Sequence, residues 1–479
     1  QNHYNLLGQP IYTHNVDSGR RFMLSNNAGQ PYFVWDNLHN QTKHSYDVLN
    51  RPLEIRLTVN GTNKVVEKNV YGTDTTKNSR GKIAELFDQS GKTVFSQYDF
   101  NGNVLQTVKT FAQEYANTID WTNPLTVPLQ SETFSHSFTY DAQNRPLTKI
   151  LPDNTVQEYT YNKAGLLETV KNNNQLYVEN INYNEKGQRI ALYFGNGSKT
   201  KYEYDANTFR LTRLLTTRNT GADILQDLNY TYDPVGNITE QIDNVQQTFY
   251  FNNAVIEPKG QYTYDALYRL TEAKGRELAS LQLPTHEDFA NSISVPNAAS
   301  NAMQNYTQQY SYDKMGNILQ TKSVGKWTRN YFYNSNNNYL VGHSENTTEY
   351  TYDAHGNMLT MPHLSTMDWD HENMIIKTTK GTESTFYRYD ASGERVRKIT
   401  AKQDGSKEER LYLGGYEVYR KIVGENIEKE RTTISVNDDK KRIATVDTLT
   451  IDGGTVISNQ TAIIRYQYDN HLGSASLEL

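Results

Sequence analysis

Apolar and polar positions alternate along this chain in short, repeated runs. Phe134, His136, Phe138 and Tyr140 fall on one side of an extended segment; Thr133, Ser135, Ser137 and Thr139 fall on the other. Strict alternation over eight residues marks a half-buried strand. The fullest phrase is Tyr350–Leu359. Tyr350 and Tyr352 share one strand face. Asp353 opens a turn, where its carboxylate can accept a backbone N–H. Gly356 and Asn357 tolerate positive φ, and Met358 and Leu359 open the return strand.

The phrase recurs. Tyr-x-Tyr-Asp stands at Tyr202–Asp205, Tyr230–Asp233, Tyr262–Asp265, Tyr310–Asp313, Tyr387–Asp390 and Tyr466–Asp469. Tyr159–Asn162 and Tyr331–Asn334 carry Asn in place of Asp, and single Tyr-Asp pairs begin at Tyr46, Tyr98 and Tyr140. Tyr140, Tyr161, Tyr183 and Tyr204 are 21, 22 and 21 residues apart. Such a period marks a repeat architecture, and it suits two strands and two turns. It is too short for a propeller blade of about 40–45 residues, so Trp35-Asp36 and Trp369-Asp370 are not propeller signatures.

The turns come in two dialects. One is Asp-x-x-Gly-Asn followed by Ile, Val or Met, as at Asp99, Asp233, Asp313 and Asp353. The other places Arg before the return strand, as at Arg51, Arg145, Arg269 and Arg395. That Arg can pair with the turn carboxylate or lie over a neighbouring Tyr. Residues 31–36 are apolar on both faces and predict a deeply buried strand. Residues 112–130, with Trp121, Pro124 and Pro128, predict a loop. Two gaps break the period. Residues 279–309 read as a surface loop insertion with room for one short helix, and 410–447 as long hairpins.

Hydrophobic residues make up only 36% of the 479 residues, and mean hydropathy is −0.78. These values alone would suggest disorder. The 36 tyrosines argue otherwise, because Tyr favours strands and buries a large ring while its hydroxyl finds a partner. A sheet wet on both sides, or curved around a polar cavity, fits better than an oily sandwich. The formal net charge of −6 offers no phosphate-binding stripe, so no nucleic-acid partner is expected. The short basic runs Lys429–Arg431 and Lys440–Arg442 read as solvated faces. With no cysteine, disulfides, thiolate metal sites and a Cys nucleophile are excluded. No apolar run approaches the roughly 20 residues of a membrane span. The chain starts at Gln1 without a leader pattern and stops in mid-strand at Leu479, so it reads as an internal piece of a longer polypeptide.

Candidate chemistry is sparse. Paired carboxylates could serve glycoside hydrolysis: Asp368/Asp370 around Trp369, Glu425/Glu428 and Asp438/Asp439 are the pairs. None has a second supporting motif. Asp99-Phe100-Asn101-Gly102-Asn103 lacks the Glu that would complete a calcium loop. His136 reads as a packed or cavity-facing side chain. Ser474 lacks a Gly-x-Ser-x-Gly elbow. No catalytic, cofactor-binding or metal residue is nominated.

The Tyr-Asp periodicity resembles the YD-repeat, or Rhs, family, and within it the B and C components of Tc insecticidal toxin complexes. Tyr262–Ala273, followed by Gly275-Arg276-Glu277, resembles their repeat phrase. Leu411–Lys421 is similar to their penultimate hairpin, and Asp438–Ala444 with Arg465–Ala475 to the start of their Rhs-associated core. The resemblance implies an all-β fold: hairpins in one continuous spiralling sheet that forms part of a hollow shell, or cocoon. It implies a YD-repeat shell over 1–464 and a truncated start of the core over 465–479. It further implies a non-enzymatic, secreted bacterial scaffold enclosing a C-terminal toxic polypeptide before delivery. The implied partners are the missing N- and C-terminal segments, the enclosed toxin and a translocation component. The family's self-cleavage site and toxin would lie past Leu479. The alternative is an extracellular adhesion or glycan-binding module, as in teneurins, with exposed Tyr and Trp369 stacking on sugars.

Within the repeat, Tyr204, Tyr232, Tyr264, Tyr312, Tyr352 and Tyr389 are expected to stack on their equivalents in the next hairpin. Asp205, Asp233, Asp265, Asp313, Asp353 and Asp390 should tie their turns through backbone N–H groups. Gly236, Gly316 and Gly356 should sit at positive φ.

Overall fold

The computed structural model describes residues 1–251, 253–279, 302–345 and 350–479. Among these, regular structure is strand apart from two three-residue 3-10 helices, Pro124–Thr126 and Asn219–Gly221. Among the described residues no helix is long and apolar enough to cross a membrane. Twenty-six strands between Asn2 and His343 form one antiparallel sheet, and eleven between Thr366 and Glu478 form another. Within each sheet the strands pair with their neighbours in sequence, except that Ile238–Asp243 pairs with Lys259–Tyr264 past a small side hairpin and Arg442–Asp452 with Ala462–Asp469 past Thr455–Val456; between the two sheets, Thr351–Tyr352 and Met358–Thr360 form a hairpin of their own.

The turn chemistry explains the meander. The Asp233 N–H donates to the carbonyl of Asn237 at 2.9 Å, while Gly236 N–H donates back to the Asp233 carbonyl at 3.2 Å. Gly236 sits at φ +113, and the ladder register shifts between Thr231 and Tyr232. This is a tight turn closed by a left-handed residue and a bulge, which adds local twist. The same register shift precedes Tyr140, Tyr161, Tyr204, Tyr264, Tyr312, Tyr352 and Tyr389. All Tyr-Asp turns therefore lie along one edge of the strip, and the intervening short turns lie along the other.

Twist accumulated over many strands winds the strip back on itself. Hydrogen bonds join residues 249 to 322 positions apart, from Arg189–Asp438 to Tyr339 and the Asp17 carbonyl. A first winding thus gives way to a second near residue 334. The main core lies where they overlap: Phe111, Val170, Val178, Leu192 and Phe194 of the first pack against Leu411, Val436, Ile443 and Tyr468 of the second.

Three expectations are corrected or sharpened. The strand Pro31–Trp35 is not deeply buried; Tyr32 is 39% exposed and Phe33, Val34 and Trp35 are only half-buried. Residues 112–130 do form an irregular loop, but it is tightly held: Trp121 is fully buried against Val65 and Phe87. Met303–Tyr312, partly within the polar tract, is a strand paired with Leu270–Leu278. Its Gln and Asn side chains suit a ladder wet on both faces. The remainder of the insertion, 280–301, lies outside the described residues.

Candidate functional site: the wall repeat and the seam

The repeat residues build a recurring joint between hairpins. Asp353 Oδ1 accepts from the N–H groups of His355 and Asn357 at 2.8 and 2.9 Å, and Oδ2 accepts from Asn357 Nδ2 at 2.9 Å. Asp233 and Asp313 hold Asn237 and Asn317 in the same way. Asp265 holds Arg269, Asp205 caps Asn207 and Thr208, and Asp390 caps Ser392 and Glu394. The backbone N–H of Arg269, ahead of its guanidinium, holds the Asp265 carboxyl below its usual range against the opposing effect of burial. Gly316 and Gly356 lie at φ +98 and +83.

The tyrosines do something other than stack on one another. Apart from Tyr468, whose hydroxyl meets Ser198, the second Tyr of each phrase donates its phenol to a main-chain carbonyl in the preceding hairpin, at the residue just after that hairpin's turn. Tyr204 reaches Arg189, Tyr232 reaches Leu211, Tyr264 reaches Ile238, Tyr312 reaches Leu270, Tyr352 reaches Leu340 and Tyr389 reaches Ile375. The distances run from 2.6 to 2.9 Å. Burial pushes the Tyr204 phenol up to about 12, so it remains a donor at neutral pH. Where an arginine closes the preceding turn, its guanidinium lies over the ring and leaves no face for an equivalent tyrosine. Arg51 covers Tyr71 at 4.1 Å, Arg145 covers Tyr161 at 4.4 Å and Arg269 covers Tyr312 at 4.8 Å. These arginines also pair with their own turn carboxylates, so both roles read from the sequence are filled at once. At Tyr352 the closing residue is Tyr339, and it stacks at 4.5 Å.

The second site is the seam, where the second winding meets the first; at its start the Tyr-Asp turns of the second winding sit against the short turns of the first. At its start, Asp17 accepts from Asn338 N and Nδ2 at 2.8 and 2.9 Å, and Asn37 Nδ2 donates to Ala354 O at 3.2 Å. In the middle, arginines of the second winding clamp the 112–132 segment. Arg388 donates to Asn117 O, Arg397 to Ala112 O, and Arg420 bidentately to Glu132 at 2.7 Å. Burial opposes the Arg420 charge, and the carboxylates of Glu132 and Glu430 outweigh it, so its pKa lies above the ordinary value. Further along, His136 Nε2 lies 3.0 Å from Leu413 O. Burial, then the Lys149 charge, lowers His136 to about 4, so it is a neutral Nε2–H donor. Arg189 pairs with Asp438 at 2.6 Å and with Asp439, and Tyr468 meets Ser198 at 2.6 Å.

Four of the six candidate catalytic carboxylates have wall roles. Asp370 caps Glu372 and Met374 in a turn, Asp438 and Asp439 are paired with Arg189, and Glu428 pairs with Lys421. Trp369 donates its indole N–H to Met358 O at 2.8 Å. Asp368 and Glu425 are exposed. Lys429 and Lys441 of the basic runs pair with Asp452 and Asp469. No group of three or more His, Cys, Asp or Glu set to hold a metal occurs among the described residues. Sequence reading missed the seam, since nothing periodic links residues nearly 300 positions apart.

No protein-family model matches the chain. Toxin subunit YenC2 of Yersinia entomophaga is 27% identical over 531 aligned positions, covering 99% of this chain and 54% of that protein. The chain thus spans about half the length of this relative. Teneurin-4 of Homo sapiens is 26% identical over 285 positions, 52% of this chain and 10% of that protein. The crystal structure of TcdB2-TccC3 superposes on 100% of this chain and 24% of its own, with a TM-score of 0.87 and 25% identity. The chain, with its YD/Rhs-type repeats, is homologous over its whole length to the B/C components of Tc toxins.

Proposed function

We propose that this chain is a non-enzymatic wall segment of a shell that encloses a C-terminal toxic polypeptide before delivery from a secreted complex. In this reading residues 1–464 form the YD-repeat wall and 465–479 begin the Rhs-associated core. The seam carries the reading. Polar and ionic contacts hold one winding of the strip on the next, which is what a wall that keeps its contents needs. The tyrosine joints support it as well, because they stiffen the strip while leaving polar faces that would not grip an apolar guest. The proposed partners are the preceding and following parts of the polypeptide, the enclosed toxin and a translocation component. The glycan-binding alternative is weakened, since the indole N–H of Trp369 is committed to the wall. Small-angle scattering from the isolated chain tests the shell reading. A curved or hollow profile is expected; a solid particle of the chain's mass with no internal void would sink it.

A further inference from the structure

Asp88 and Lys109 are 21 residues apart, one period of the repeat, and form an ion pair inside the wall. Asp88 ends the strand Ile83–Asp88 and Lys109 lies on Val104–Phe111, with Gly91–Tyr98 between them. Lys109 Nζ lies 3.2 Å from each oxygen of the carboxyl, and the two side chains are only 11% and 4% exposed. Equal distances set Nζ opposite the carboxyl carbon, at contact distance, which is a near-attack geometry. Aromatic rings keep water out. Trp121 donates its indole N–H to Asp88 O at 2.9 Å, the Phe111 ring lies 5.9 Å from Nζ, and both side chains are fully buried.

The two carboxyl oxygens are held differently. Asp88 Oδ1 accepts from Ser90 N–H at 2.8 Å, from Ser90 Oγ at 2.5 Å and from Gly91 N–H at 3.1 Å. Oδ2 is bonded by Lys109. Donors converging on one oxygen stabilise negative charge that develops there, as in an oxyanion hole. Oδ2 is then the oxygen free to depart. Glu67 and Asp88 line one cavity of about 40 Å³, room for a water molecule. Burial pushes the Glu67 carboxyl up, opposed by the Asn69 hydrogen bond and reinforced by the charges of Glu372 and Asp88. Glu67 is thus a carboxyl suited to taking up and returning a proton beside the pair.

We propose that Lys109 and Asp88 condense into an amide, a covalent strut across one repeat of the wall. Nζ bonds to the Asp88 carboxyl carbon, the bond from that carbon to Oδ2 breaks, and Oδ2 leaves as water. Of the three ammonium protons, one stays on the amide nitrogen and two leave in the water, so no co-reactant is consumed. Burial favours the uncharged amine and carboxylic acid from which attack starts. Glu67 carries a proton from Nζ to the departing oxygen. The product replaces two buried charges by one buried amide, which relieves the desolvation penalty of the pair. It ties the start of the 112–130 loop, just past Lys109, to the turn that receives Trp121.

Intact-mass spectrometry of the full chain, followed by a tryptic map, tests this. The wild-type chain should weigh less than its sequence by one water, and the peptides that carry Asp88 and Lys109 should appear as one branched species. Lys109→Arg keeps the charge without the reactive amine and should have the full sequence mass. Glu67→Gln should also keep full mass while its near-ultraviolet circular dichroism stays that of the wild-type chain. A wild-type chain of full sequence mass would overturn the proposal and leave the enclosure reading untouched. Loss of water without the branched peptide, as from a cyclised aspartate, would overturn it as well. Complete condensation in Glu67→Gln would overturn the role given to Glu67.

Discussion

The Tyr312 phenol donates to Leu270 O at 2.7 Å across 42 residues of chain, whereas the matching bond from Tyr46 to Pro31 O spans 15. The wall joint is therefore kept where the period in sequence is broken. The flanks of the insertion are already closed: Leu278 pairs with Met303, and Ala279 N–H donates to Ala302 O at 2.8 Å. Replacing residues 280–301 by an Asn-Gly turn should leave the melting temperature unchanged, since surface loop length has only a weak entropic effect. A large drop in melting temperature would show that the insertion bears load in the wall.

The Tyr352 joint separates ring from hydroxyl. Tyr352→Phe keeps the ring under Tyr339 but leaves Leu340 O without its phenol donor. It should cost about 1 kcal/mol. Tyr352→Ala removes the ring as well and should cost about 3 kcal/mol or more. Asp353→Ala strips the turn of its carboxylate and should fall nearer to the Phe variant, at about 1 kcal/mol. Chemical denaturation of the three variants orders them; Asp353→Ala as the worst would mean that turns, not joints, hold the wall.

Much of this joint was legible in the sequence. The alternation of Tyr350 and Tyr352, the Asp353 turn and the Gly356 left-handed residue are local, and local rules repeat with the period. The hydroxyl relay was not, because it depends on which main-chain carbonyl the neighbouring hairpin presents. The stacking expectation failed at Tyr312 because Arg269 already occupies the ring face. The seam was invisible for another reason. His136 and Leu413 are 277 residues apart, and their meeting is set by the accumulated twist of every strand between them.

The arginine clamp should be asymmetric. Arg420 is buried between Glu132, Glu430 and Glu409, whereas the Glu132 side chain is 41% exposed. Arg420→Met leaves buried carboxylates short of a counter-charge and should cost about 3–5 kcal/mol. Glu132→Ala leaves Arg420 paired with Glu430, and water replaces the exposed partner, so about 1 kcal/mol or less is expected. Limited proteolysis between residues 112 and 132 reads the clamp directly. Cleavage should appear in the Arg420 variant and remain slow in the Glu132 variant; equal cleavage in both would place the hold elsewhere, in Trp121.

His136 gives the seam a pH dependence of definite sign. Its folded pKa is lowered from the ordinary 6.5 to about 4, with burial as the main cause. Above pH 6.5 the ring is neutral in both folded and unfolded chains and contributes no pH dependence. As pH falls below 6.5 the unfolded chain takes up a proton that the folded chain refuses. Stability then declines by about 1.4 kcal/mol per pH unit. The decline ends near pH 4, where the folded ring is protonated as well. His136→Gln keeps an N–H that can donate to Leu413 O but cannot titrate. Denaturation at pH 7 and pH 4.5 should therefore show a smaller acid loss in the variant than in the wild-type chain, by about 2–3 kcal/mol. Equal losses would mean that His136 titrates alike in both states and that its bond to Leu413 does not survive in solution.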